Sequence, residues 1–431
     1  MIKRLGLVVF LIGLCLSARA ELAVVEPPRD WKTVGGEGFQ AAVVSFDGTT
    51  VLFRAPDGRR SPLPLDRLSA EDREYLLAWQ KKQPIKVVMP DVVGVDSATF
   101  KTEVVSEDER NEKFVYRTPH FEFESQGKFT QSLLREVSRN FEATYELLKA
   151  LPWGIEPKPA EGGFFRARLL RTRTVYEAEG GPKNSGGVYM GSEKIFRIPF
   201  ESLGLKMVGK SYAKDDDFDT STLVHELTHQ MMHFWLRYLP QWVVEGTAEY
   251  TGNLPLKTGR FRLSAAKTGL KDYLDHLKEG RGVPAPYPLD ELFPITNEKW
   301  NQILEQDPLI SRRLYFTSYL LVYFFMHLDG EGDGQLFVRY FREVNVTRKE
   351  VEAYYATVDE FKKQPGVEVA ADGSYRWSGD MQHPEKPAVL SSETALDEFQ
   401  KKTLQILLNG RSKAELMKEI RSAYTKLGIR L

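Results

Sequence analysis

Cysteine is almost absent: the 431 residues carry one, Cys15. Disulfides therefore cannot staple the fold, and any metal site must rest on imidazoles and carboxylates rather than thiolates. Histidine is scarce as well, with seven in the chain, so two at helical spacing stand out. No apolar run reaches the roughly 20 residues that span a bilayer as a helix. Neither charge sign dominates: 59 basic residues face 60 acidic ones, for a net charge of -1. No polybasic or polyacidic block is present, which removes the electrostatic footprint of a nucleic-acid partner or an anionic membrane. Tandem repeats and low-complexity tracts are missing too.

What is present begins with a leader. Lys3 and Arg4 precede an apolar run from Leu5 to Leu16, and Ala18-Arg19-Ala20 follows in a small-x-small pattern. Residues 1–20 read as a secretory signal peptide, with an uncleaved anchor as the alternative. Leu14 before Cys15 argues against lipid attachment there, because such sites take a small residue. The expectation is a secreted, periplasmic or cell-envelope protein whose mature chain has no cysteine and no stable membrane span.

Residues 28–82 read as short strands closed by one helix. Ala41 to Ser45, Thr50 to Arg54 and Ser61 to Leu65 alternate around turns at Asp47-Gly48 and Asp57-Gly58. Ser69-Ala70-Glu71-Asp72 has the look of a helix start with acidic first-turn residues. The pattern predicts a small β-barrel. This stretch, from Arg29-Asp30-Trp31 through Leu68-Ser69-Ala70-Glu71-Asp72, resembles the Sla-type homology domain one. That resemblance implies a barrel of the Src-homology-three type with a protein partner, here a docking or stabilising module rather than an endocytic adaptor.

Residues 83–111 read as a linker or an irregular first strand. The segment 112–345 begins with strands at Phe114 to Arg117 and Phe121 to Phe123. A helix with Leu133, Leu134, Val137 and Phe141 on one face follows, and then a hairpin at Val188 to Met190 and Ile195 to Phe200. A glycine-rich loop, 180–187, reads as a lid. Helices dominate from Thr220 onward. Residues 346–431 form a helical extension that reads equally as a closing subdomain or a dimer face. The order predicts an α+β protein rather than a doubly wound sheet.

The chemistry lies in His225-Glu226-Leu227-Thr228-His229. Imidazoles four residues apart on a helix share one face, one turn apart, and can hold one zinc at about 2.0–2.1 Å. Glu226 between them is placed to act as general base on a water. Pro240 breaks the helix, and Trp242-Val243-Val244-Glu245-Gly246-Thr247-Ala248-Glu249 starts another, returning Glu245 as a third ligand. Glu249, one turn on, is placed to take the second ring proton of a ligating histidine. The alternatives are a buried structural histidine pair and Glu249 as the ligand in place of Glu245. His233, about 12 Å along the helix from His225, is too far to share a metal.

HExxH followed by W-x-x-E-G-x-A-E is similar to gluzincin peptidases of the peptidase MA-like group. The resemblance covers roughly residues 113–345 and implies a thermolysin-like catalytic domain with His225, His229 and Glu245 as zinc ligands and Glu226 as base. Fifteen residues separate His229 from Glu245, a tighter connection than in the better-known gluzincins. The resemblance also implies that Val188, Tyr189 and Met190 form a sheet edge that binds extended substrate by strand addition, against a plain core strand. It implies a later helix with a tyrosine that stabilises an oxyanion: Tyr315 first and Tyr319 second, against a simple aromatic packing stripe. No acidic motif of the kind that holds a peptide amino terminus is visible, which points to an endopeptidase. The expected function is thus a zinc metallopeptidase acting on peptide or protein. The alternative is an envelope binding or scaffold protein that uses its N-terminal module, with a vestigial or structural zinc domain.

Overall fold

A computed structural model describes residues 28–46, 50–82, 87–96, 100–183, 185–209, 211–215, 218–280, 282–379 and 381–431. The expected signal peptide and the Asp47-Gly48 turn lie outside the described residues. The protein is α+β, in two units divided between Pro84 and Ile85. No helix among the described residues is long and apolar enough to cross a membrane.

In the first unit, β1 (Arg29–Lys32), β2 (Gly38–Phe46), β3 (Thr50–Arg54) and β4 (Arg60–Pro64) form an antiparallel sheet in chain order, followed by α1 (Ala70–Lys82). The sheet is open: β1 and β4 are not paired, so the expected closed barrel is not formed among the described residues. Strand alternation puts Val51 and Phe53 inward, where they meet Trp31, Leu68 and Leu76, all buried. Asp72 ties the helix start to β1, accepting from Lys32 N at 2.7 Å and pairing with Arg29 at 2.9 Å. The strand carrying Trp31 escapes a reading by alternation, because four residues are too short a run for the period to show.

The second unit is built on a six-stranded mixed sheet. Its members are β6 (Glu103–Asp108), β7 (Lys113–Arg117), β8 (Phe121–Ser125), β9 (Phe165–Leu170), β10 (Val188–Met190) and β11 (Ile195–Pro199). The order is β10-β11-β9-β8-β7-β6; β8, β9 and β11 run parallel, and the other neighbours are antiparallel. In β8, Phe121 and Phe123 point inward while Glu122 and Glu124 point outward to Arg117 and Arg168. α2 (Gln131–Ala150) lays Leu134, Phe141 and Leu148 into the same core. β5 (Val92–Gly94) pairs with β15 (Arg260–Arg262), which pairs with β14 (Leu256–Lys257). Residues 92–94 and 103–108 are thus built into the second unit's sheets rather than serving as a linker.

The rest is mainly helical. α3 (Arg173–Ala178) precedes the glycine-rich loop, and β12 (Leu205–Val208) with β13 (Ser211–Lys214) makes a hairpin before α4 (Ser221–Met231). Then come α5 (His233–Leu236), α6 (Gln241–Gly252), α7 (Ala266–Glu279), α8 (Leu289–Leu292), α9 (Asn297–Gln306), α10 (Pro308–His327) and α11 (Gln335–Lys362). A hairpin of β16 (Val367–Val369) and β17 (Tyr375–Trp377) leads to α12 (Ala395–Leu408) and α13 (Lys413–Lys426). Leu407, Leu416, Ile420 and Tyr424 belong to the main core, and the Tyr424 hydroxyl donates to Leu320 O at 2.7 Å. The C-terminal helices therefore complete that core.

Candidate metal centre

α4 buries Leu223, Val224, Leu227 and Met231, which turns the face carrying His225, Glu226 and His229 away from the core. Pro240, extended at φ -67°, ends the turn and α6 begins at Gln241. α6 is held tightly on both sides. A β-carbon on Gly252 would lie 2.8 Å from Ser221 O of α4, and one on Gly246 would lie 2.5 Å from Ser318 O of α10. Only glycine permits either approach. Thr228 of α4 and Thr251 of α6, both fully buried, close the crossing with a 2.7 Å hydroxyl pair.

This packing brings the three expected ligand residues together. His225 Nε2 and His229 Nε2 are 3.1 Å apart, and Glu245 Oε2 lies 3.3 Å from the first and 3.5 Å from the second. Tetrahedral bonds of about 2.0–2.1 Å require donors about 3.3–3.4 Å apart, which these separations match. Glu245 is 8% exposed and its Oε2 has no hydrogen-bond partner, although both imidazoles are near. An orphaned buried carboxylate oxygen costs on the order of 1–3 kcal/mol or more, and a cation among the three donors removes that cost. Glu249 Oε1 sits 3.3 Å from His225 Nδ1 and so fixes the proton there, leaving Nε2 as a lone pair. The donor set therefore fits a divalent metal, with Glu245 rather than Glu249 as the carboxylate at the centre.

The electrostatics follow from burial and charge. Burial pushes the Glu245 carboxyl up, but His229 and His225 outweigh it and hold the group below the usual carboxylate range. Burial pushes the His225 imidazole down, and Glu245, Glu249 and Glu226 outweigh it in the other direction. For Glu226 burial wins over the two imidazoles, and its carboxyl is raised.

The remaining expected residues divide. β10 is an edge strand, and the Tyr189 main-chain N–H donates to Glu226 Oε2 at 3.1 Å. Val188, Tyr189 and Met190 thus form a sheet edge beside Glu226. The Tyr189 hydroxyl pairs with His233 Nδ1 at 2.9 Å, which gives His233 a structural partner. Tyr315 lines the cavity next to the triad, its ring 6.3 Å from that of His225. Tyr319 does not: it is 1% exposed, packed edge-on against Tyr273 and Tyr323. The four-residue step that makes the tyrosines a stripe drifts around a helix of 3.6 residues per turn, so one faces the cavity and the next the core. The loop at 180–187 is tethered, Arg173 donating to Ser185 O at 2.6 Å and Tyr176 pairing with Ser185 Oγ at 3.1 Å.

A cavity of about 750 Å3 opens beside His225 and Glu226. Part of its wall comes from α7, through Asp272, Tyr273 and His276. Sequence reasoning does not reach these three, because no local spacing ties α7 to α4; tertiary packing alone brings them there. No known family, curated protein or solved structure matches the chain.

Proposed function

We propose that the chain is a zinc-dependent metallohydrolase acting on peptide bonds, and that it works outside the cytoplasm after loss of residues 1–20. The observation that carries this reading is the convergence of His225 Nε2, His229 Nε2 and Glu245 Oε2 at 3.1–3.5 Å, with an adjacent carboxylate that is not a ligand. Three protein donors is the count of a catalytic zinc site, whereas structural sites close with four. When bound, zinc supplies Lewis acidity, polarising a carbonyl and lowering the pKa of water toward about 7.

The chain's own residues do the rest. Glu226 takes the proton of the attacking water and delivers it to the leaving amine. Its carboxylate is aimed by the Tyr189 N–H, so the base does not swing free. Glu249 holds the His225 ring in the tautomer that offers Nε2. Tyr315 presents a hydroxyl from the cavity wall, and burial, reinforced by Glu245, Glu249 and Glu226, keeps it protonated. A protonated phenol can donate to a developing oxyanion. The β10 edge offers main-chain groups to an extended substrate. The resemblance to gluzincins extends the proposal to a thermolysin-like second unit. The resemblance of residues 28–82 to the Sla-type homology domain one extends it to a docking module in the first unit, a reading supported by four antiparallel strands in chain order followed by α1.

The test is cleavage of a peptide library by the zinc-loaded chain beside Glu226→Gln, read by mass spectrometry. The expected result is cleavage by the first only, with one zinc per chain in both. Equal turnover in Glu226→Gln would remove the base from the mechanism, and no cleavage by either would remove the peptidase.

A further inference from the structure

The cavity beside the triad has walls of one charge sign. Glu226, Glu249, Asp219 and Asp272 line it, and among the described residues no lysine or arginine does; His225 and His276 are the basic side chains of that described lining. Three of the four carboxylates are engaged. Glu226 accepts from Tyr189, Glu249 faces His225 and Asn253, and Asp219 accepts twice from Ser221 at the start of α4, at 2.8 and 2.9 Å. Asp272, on α7, has neither an ion-pair nor a hydrogen-bond partner among the described residues. The neighbouring Tyr273 hydroxyl also lacks a hydrogen-bond partner among them, and burial, with the charge of Glu249 adding to it, pushes its phenol well above the ordinary value. The cavity therefore has an unused hydroxyl in its wall and, at its exposed rim, a carboxylate with no cationic partner among the described residues, beside the apolar surfaces of Phe218, Leu254 and Tyr315.

A cleft with one sign of charge and low-dielectric walls concentrates the opposite charge. A long apolar stem with a cationic head matches such a cleft, because the stem packs on the aromatic and aliphatic wall while the head meets the carboxylates. About 750 Å3 accommodates a ligand of that size with room for adjoining main chain. We infer that this cavity is the specificity pocket of the site and takes a cationic group of the substrate, an ammonium or a guanidinium, with Asp272 as its counter-charge. The inference rests on the proposed peptidase for its placement beside the scissile bond. The recognition itself depends only on the cavity.

The experiment is fluorescence anisotropy of labelled nonapeptides on the full chain carrying Glu226→Gln, so that binding is read without turnover. The peptides differ at one position (arginine, lysine, norleucine or glutamate), each with a free and an acetylated amino terminus. Arginine and lysine peptides are expected to bind about ten-fold more tightly than norleucine, with the advantage shrinking as salt rises. Asp272→Asn is expected to cut that ratio by about three-fold or more, and Asp272→Lys to reverse it toward glutamate. Persistence of the advantage after acetylation assigns the pocket to a side chain. An advantage confined to free amino termini assigns it to the substrate's α-ammonium group. Equal binding of all eight peptides, or a ratio untouched by both Asp272 variants, overturns the inference. If the wild type cleaves nothing while cationic peptides still bind through Asp272, the pocket stands and the peptidase falls. Cleavage with no charge preference removes the pocket and leaves the peptidase in place.

Discussion

His327 shows how a single buried group sets a pH limit on the whole molecule. It ends α10 with its Nε2 2.9 Å from the Tyr250 hydroxyl and its ring against Tyr323, and burial lowers its pKa to about 4. The unfolded chain binds that proton near pH 6.5 and the folded chain does not. Its contribution to stability is therefore complete above pH 6.5 and is lost as pH falls from 6.5 toward 4. The full loss is on the order of 3 kcal/mol. Urea unfolding at pH 7.5 and 5.0 checks this: the fall in midpoint is expected to flatten in His327→Gln, and an identical fall in both proteins would refute it. At the same scale, His225, Glu226 and His229 were legible in the sequence because their spacing is the helix period itself. Tyr315 was legible only as one of a stripe, since spacing alone does not say which side of α10 faces the cavity.

Among the elements, α6 matters most, because it sits between α4 and α10 and carries Glu245. Gly246 and Gly252 are the points where neighbouring backbones touch it. Gly246→Ala would put a methyl 2.5 Å from a main-chain oxygen that has no room to yield. The expected cost is about 1–3 kcal/mol. Because the displacement is felt one residue from Glu245, zinc affinity is expected to fall at least as far as stability does. Thermal unfolding with and without metal, alongside zinc titration, measures both. Gly252→Ala offers the matching probe on the α4 side. The sequence showed α4, the Pro240 break and the start of α6, since helix period and proline carry those signals. It did not show α7 as a wall of the cavity, nor β1, nor the pairing of β5 with β15. Each of those depends on partners more than 40 residues away, or on segments of only three or four residues, where periodicity has nothing to count.

As a whole, the molecule divides into two units with separate cores, one around Trp31 and Phe53 and one that runs from Phe114 to Tyr424. All three candidate ligands, Glu226 and the cavity belong to the second. A chain of residues 85–431 is therefore expected to bind one zinc and to keep catalytic activity within about two-fold of the full chain. Chelation is expected to lower the melting temperature of that unit by about 5–10 °C, from the binding free energy lost, and to leave a transition of the first unit where it was. Calorimetry on the full chain and the fragment separates these. A single transition shifted as one by the chelator would show that the two cores unfold together. In the sequence, the run of short strands closed by a helix marks residues 28–82 as a unit, while the segment read as a linker carries strands whose partners lie elsewhere in the second unit. The seamless joining of α11–α13 to the main core was not legible, because amphipathic helices look alike whether they cap a core or face a partner.

The bond from the Tyr189 amide to Glu226 has an evolutionary consequence. The group that holds the Glu226 carboxylate belongs to the main chain, so apart from proline any codon at position 189 encodes it. On the proposed function, substitutions at positions 188 and 190 can change what this edge presents to a substrate while the main-chain donor to Glu226 stays in place. If the proposed reaction holds, a lineage built on such a site can alter what it recognises there without first losing the group that holds its base.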